Sequence, residues 1–178
     1  MALKGVENLN HICSQFVRQF VKDNSIYCEM GEDFAYYCSE ENPPHISYTV
    51  LDTPKIDDIF KEYLLKKYAI KFENDFDIFI FSFLHEIGHA LTIYKIPDRV
   101  LNRCSNHKNY LQRYAVNKHK KDTKKRWRKA LFKYWELTDE KQANLIAVKI
   151  WKKYPEKVQE FKERITRALT VFYMVNQM

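Results

Sequence analysis

The chain has 178 residues and a mass of 21.6 kDa, with 46% apolar, 15% aromatic and 30% charged residues. That length suits one domain with a single core; twelve Phe and twelve Tyr argue against disorder, and only three Gly and five Pro argue against a turn-rich sandwich or barrel. A net charge of +7 and a pI near 9.1 suggest an anionic partner without bearing on fold.

Val6 to Val21 reads as an opening helix, with Leu9, Ile12, Cys13, Phe16, Val17 and Phe20 at spacings of three and four. Short extended segments follow at 26–30, 34–38 and 45–51. In the last, Ile46, Tyr48 and Val50 alternate with Ser47 and Thr49, the pattern of a half-exposed strand, with His45 opening a candidate edge strand. A second helix is predicted from Thr53-Pro54 to about Tyr68. A third starts at Asn74, a good N-cap followed by Asp75 and Asp77, and runs to about Lys95 before Pro97. Helices near 99–116 and 122–135 come next. Another follows Thr138, which can cap it, with Ala143, Ile146, Ala147, Ile150, Trp151 and Tyr154 on its apolar face. Pro155 begins the last, with Val158, Phe161, Ile165, Leu169, Phe172 and Tyr173 inward. The expected fold is α+β, helix-rich with a small early sheet, a single domain over 1–178.

The positive charge is local. Between Arg99 and Lys133 there are 13 Lys or Arg and one acid, Asp122, a net of +12, so the rest of the chain is mildly acidic. This stretch forms a basic helical insertion at about 98–136, interleaved with Tyr110, Tyr114 and Trp127. It shows no helix-turn-helix, zinc finger or other named reader, so nucleic acid, an acidic protein and plain solvation all remain open. The four cysteines, at 13, 28, 38 and 104, make no C-x-x-C pair, and Met1 to Asn10 has no apolar core. A cytoplasmic protein with reduced thiols and no membrane association is expected, since the most apolar run, Ile78 to Leu84, is too short to span a bilayer.

Within the Asn74 helix lies His85-Glu86-Ile87-Gly88-His89, an H-E-x-x-H pattern. Two His at i and i+4 leave one helix face close enough to share a metal, and imidazole nitrogen suits zinc. Glu86 lies about 100° round the helix, where it can reach a water rather than the metal and act as catalytic base. Gly88 in mid-helix costs about 1 kcal/mol relative to Ala, which points to close approach by another element. Two His do not hold catalytic zinc alone. Glu140 is the chosen third ligand because it continues the inward stripe of Ala143 and Asn144, where a carboxylate needs a cation; Glu136 and Asp139 compete.

His85-Glu-Ile-Gly-His-Ala90 followed by Glu140-Lys-Gln-Ala143-Asn144-Leu-Ile-Ala147 resembles the ImmA/IrrE family of zinc metallopeptidases, common in phages and mobile elements. The resemblance implies Zn²⁺ held by His85, His89 and Glu140, Glu86 as the base, and a gluzincin-type, zincin-like fold whose edge strand can pair with an extended substrate. It therefore implies hydrolysis of peptide bonds in an intracellular protein. The 50 residues between His89 and Glu140 are more than the pattern usually has, and the basic insertion fills them.

Two other readings stay open. His107-Lys-Asn-Tyr110 faintly resembles the third-ligand region of SprT-like, DNA-associated proteases, although Lys108 stands where that pattern has Gly. A non-catalytic module binding nucleic acid or an acidic protein on the same scaffold is the other. His107, Tyr110 and Tyr114 are candidates for stabilising an oxyanion, merely because they lie between the two motif helices. His11, His45 and His119 carry no ligand pattern.

Overall fold

The structure, a computed structural model, describes residues 2–23, 25–31, 35–39, 43–49, 58–115 and 123–176. The first apolar stripe forms helix α1 (Ala2–Arg18), which buries Leu9, Ile12, Cys13, Phe16 and Val17. Three four-residue strands follow, β1 (Tyr27–Met30), β2 (Ala35–Cys38) and β3 (His45–Tyr48). Their order is β1-β3-β2, with β3 parallel to β1 and antiparallel to β2.

The last strand therefore enters the middle of the sheet, which corrects the expectation for 45–51. His45 begins the central strand, and Ser47 and Thr49 are buried along with Ile46 and Tyr48. Neighbouring backbone covers the polar positions: a Cβ on Gly31 would collide with the Ser47 hydroxyl. Period-2 alternation reports which face is polar, but a central strand between two partners can bury both. Residues 50–51 and the expected start of the second helix at 53–54 lie outside the described residues.

Helix α2 (Asp58–Tyr68) buries Ile59, Tyr63 and Leu64. Helix α3 (Asp75–Thr92) starts as its sequence predicts, because Asn74 Oδ1 accepts the Asp77 N–H at 2.9 Å and Asp77 in turn accepts the Glu73 N–H at 3.0 Å. Its α-helical part ends three residues earlier than expected, and one tighter turn, Ile93–Lys95, leads to Pro97. Ile78, Phe79, Ile80, Phe81, Phe83, Leu84 and Ile87 are wholly buried, so α3 is apolar all round and forms the centre of the molecule. The segment Asp75–Lys95 is long and apolar enough to cross a bilayer, but 72% of its apolar window is buried inside this fold, as a core helix requires.

Helices α4 (Asp98–Ala115) and α5 (Thr123–Tyr134) pack on each other around Leu111 and Ala130, with Tyr114 and Tyr134 at the margin. Past them, Phe132 and Trp135 join the main core through edge and tilted contacts with Tyr63. Helix α6 (Thr138–Lys153) is capped by Leu137 without a side-chain bond, so Thr138 is its first residue rather than its cap. Helix α7 (Pro155–Asn176) returns along α1, with the Phe16 and Phe161 rings stacked 4.0 Å apart. Tyr173, expected inward, is 44% exposed; Phe172 takes the inward place against Gly5, and one residue turns a side chain by about 100°. The result is an α+β fold, with 76% of the described residues helical and one small sheet. All four cysteines are free thiols, and burial pushes Cys28 up to about 12.

Candidate active site

The site is built where α3 crosses α6. A Cβ on Gly88 would lie 2.5 Å from the Ala143 carbonyl oxygen and 2.7 Å from its Cα, so the glycine in mid-helix lets the two backbones touch. Because α3 and α6 meet at these two small residues, the positions three before and one after each of them face each other. Those positions hold His85 and His89 on one side and Glu140 and Asn144 on the other.

His85 Nε2 and His89 Nε2 are 3.0 Å apart, Glu140 Oε2 is 3.2 Å from His85 Nε2, and Glu140 Oε1 is 3.7 Å from His89 Nε2. A tetrahedral ion with bonds of about 2.0–2.1 Å separates its ligand atoms by about 3.3 Å. The three sides of this triangle bracket that value. The second nitrogen of His85 is also committed: Nδ1 lies 3.0 Å from Asn144 Oδ1, so the neutral imidazole would keep its proton on Nδ1 and offer the Nε2 lone pair to an electrophile. Asn144 is fully buried, and its Nδ2 has no hydrogen-bond partner among the described residues. His85, Glu86 and His89 together offer donor atoms within 4.8 Å of one another, a group that could hold a metal ion.

Glu86 is buried beside the pair and accepts the backbone N–H of Tyr37 on β2. Burial raises its pKa above the ordinary carboxylate value, partly offset by the charge of His85 and His89. This is the environment of a carboxylate that can take up a proton and give it back. Burial also opposes ionisation of Glu140, but the imidazoles of His85 and His89 beside it outweigh that and hold this carboxyl well below the usual range. The partner shift is that of His85, raised above the ordinary value because Glu140 and Glu86 overcome its burial.

Two further groups stand at the site. Lys108 of α4 places Nζ 2.6 Å from Asp139 Oδ2 and 2.6 Å from Glu140 Oε1. Despite burial, which disfavours its charge, Glu140 and its other neighbours hold Lys108 protonated. The Tyr134 ring lies 5.1 Å from that ammonium, and its phenol hydrogen-bonds Glu140. Neither residue was singled out in the sequence. A lysine inside a run of thirteen basic residues carries no signal of its own, and Tyr134 reads only as an inward aromatic.

The structure thus brings together His85, Glu86, His89 and Glu140. Asp139 is buried next to them on Lys108, whereas Glu136 turns away to Lys67 at 2.8 Å. His107 is not brought to this cluster. It is exposed and lines a groove with Tyr63, Phe132 and Glu136 on another side of α4. Tyr110 is 59% exposed and Tyr114 sits under the Arg126 guanidinium, so neither stands by the histidines. His45 is buried on Glu29, His11 bonds Gln15, and His119 lies outside the described residues. No protein-family model, no curated protein and no solved structure matches this chain.

Proposed function

We propose that this protein is a zinc-dependent endopeptidase of zincin-like fold, with His85, His89 and Glu140 as metal ligands and Glu86 as general base. The observation that carries the reading is the triangle of 3.0, 3.2 and 3.7 Å between three buried donor atoms on two helices. Three protein ligands of the kinds N, N and O leave a tetrahedral ion one open position, the mark of a catalytic rather than a structural zinc. The ion would supply Lewis acidity, which polarises a carbonyl and makes water acidic near neutral pH.

The remaining work falls to the chain. Asn144 fixes the tautomer of His85, and Tyr37 N–H holds the Glu86 carboxylate. Glu86 takes a proton from the attacking water and returns it to the leaving amine nitrogen, so one carboxylate serves both halves of peptide hydrolysis. Strand β2 bears Tyr37 and is an edge of the described sheet, and an extended peptide would pair along it beside Glu86. Lys108 and Tyr134, rather than His107, Tyr110 or Tyr114, touch Glu140, and they are the candidates for stabilising an oxyanion.

Metal analysis of protein purified without chelator should find close to one zinc per chain. Glu86→Gln should retain that zinc and lose cleavage by about 10²–10⁴-fold. Comparing the proteomes of cells expressing wild type and Glu86→Gln would reveal the substrate. Equal cleavage by both proteins would remove Glu86 from the mechanism, and zinc far below stoichiometry would remove the metal.

A further inference from the structure

The basic insertion contributes more than surface charge, because it builds one wall of a second concavity. Between α2, α4 and α5 lies a groove of about 600 Å³, within the range of about 300–1,000 Å³ typical of binding sites. Its floor is apolar, formed by Tyr63, Phe132 and Leu137, and its rim carries Lys66, Lys67, Lys129, Lys133 and His107. Part of that charge is already neutralised: Lys67 pairs with Glu136 at 2.8 Å and Lys66 with Glu62 at 2.5 Å. Lys129 and Lys133 make no ion pair among the described residues, and they stand on consecutive turns of α5, where like charges repel. An incoming anion would relieve that repulsion.

We propose that this groove binds an acidic protein segment that also carries apolar side chains. Lysines on the rim suit carboxylates, and the apolar floor suits Leu-like side chains between them. Single-stranded nucleic acid fits less well. Stacking needs open aromatic faces, but Tyr63 is 2% exposed and its ring is enclosed by Tyr68, Phe132 and Trp135. Tyr110 and Trp127, the exposed aromatics of the basic stretch, do not line the groove.

The groove and the candidate active site lie on different sides of α4 but share its residues. His107 lines the groove while Lys108, the next residue, touches Glu140, and Leu137 lies one turn before Glu140 on α6. The groove's role as a substrate-recognition surface rests on the peptidase reading, whereas binding is measured independently of it.

The test is fluorescence anisotropy with full-length Glu86→Gln protein and a labelled peptide of Glu pairs separated by single Leu residues. Saturable binding that weakens with salt is expected. Substituting Lys129→Glu and Lys133→Glu together should weaken it at least about tenfold, with circular dichroism and zinc content unchanged. Replacing Glu by Gln, or Leu by Ser, in the peptide should each weaken it severalfold. Equal affinity for the Gln peptide, or for the charge-reversed protein, would overturn the proposal. So would tighter binding of oligothymidylate that depends on the same two lysines, which would make this a nucleic-acid site. Peptide binding without any cleavage activity in the wild type would sink the peptidase reading and leave the groove standing; cleavage with no peptide binding would do the reverse.

Discussion

At the scale of single residues, the histidines alone are not a site; what makes them one is the company of Asn144, Glu140 and Lys108. Asn144 makes a single hydrogen bond to His85, yet groups that orient a ligating imidazole are commonly worth 10–100-fold in metal affinity. Asn144→Leu should therefore weaken zinc binding by about that factor, read by competition with a chromogenic chelator, while leaving the fold intact. Lys108 acts in the opposite sense. Its ammonium balances two buried carboxylates, and breaking such a cluster leaves buried charge unpaired. Lys108→Met should cost about 2–3 kcal/mol in urea unfolding in the presence of chelator, and clearly less with zinc bound, because the ion restores positive charge beside Glu140. An equal cost in both states would mean that Lys108 balances Asp139 alone.

At the scale of elements, the decisive contact is between Gly88 and Ala143. No side chain on α3 fits there without moving backbone of α6, since even a methyl group would approach the Ala143 Cα to 2.7 Å. Gly88→Ala gains helix propensity of about 1 kcal/mol. It loses more from overpacking, for a net destabilisation of about 1–2 kcal/mol. Melting temperature should fall by a few degrees, and because α6 carries Glu140, zinc affinity should fall with it. Propensity winning, with a raised melting temperature, would show that α6 can slide without consequence. The same elements show how far the sequence could be read. The Asn74 cap, the Pro155 start and the apolar faces of α1, α6 and α7 are local signals, legible because hydrogen bonding and periodicity act within a few residues. Strand order is not local. Nothing in 45–48 announces that this segment would insert between β1 and β2 and bury both of its faces.

At the scale of the whole molecule, the proposed metal and the protons compete for the same groups, which gives stability a distinctive pH dependence. Without metal, the depressed carboxyl of Glu140 contributes stability above its ordinary value of 4.5, lost as pH falls through the lower folded value. The raised imidazole of His85 contributes below its ordinary value of 6.5, lost as pH rises through the higher folded value. Chelator-treated protein should therefore be most stable in the interval between those two ordinary values. Zinc binding requires neutral imidazole, so the holoprotein's optimum should move above about pH 7. Thermal melts across pH with and without chelator measure both curves; coincident curves would exclude a metal on these histidines.

The sequence already puts His85 and His89 on one face with Glu86 beside them, since a helix repeats every 3.6 residues wherever it lies. It also determined that a mid-helix Gly88 calls for a close neighbour, and that Glu140 belongs to an inward stripe. Packing between helices made α6 that neighbour, and hence brought the carboxylate of Glu140 within 3.2 Å of an imidazole 55 positions earlier in the chain. It likewise decided that Lys108 faces the site and His107 a separate groove. Adjacent residues on a helix point about 100° apart, and the roll of α4 that chooses between them is set by packing on α5 and α6 rather than by any residue of α4 alone.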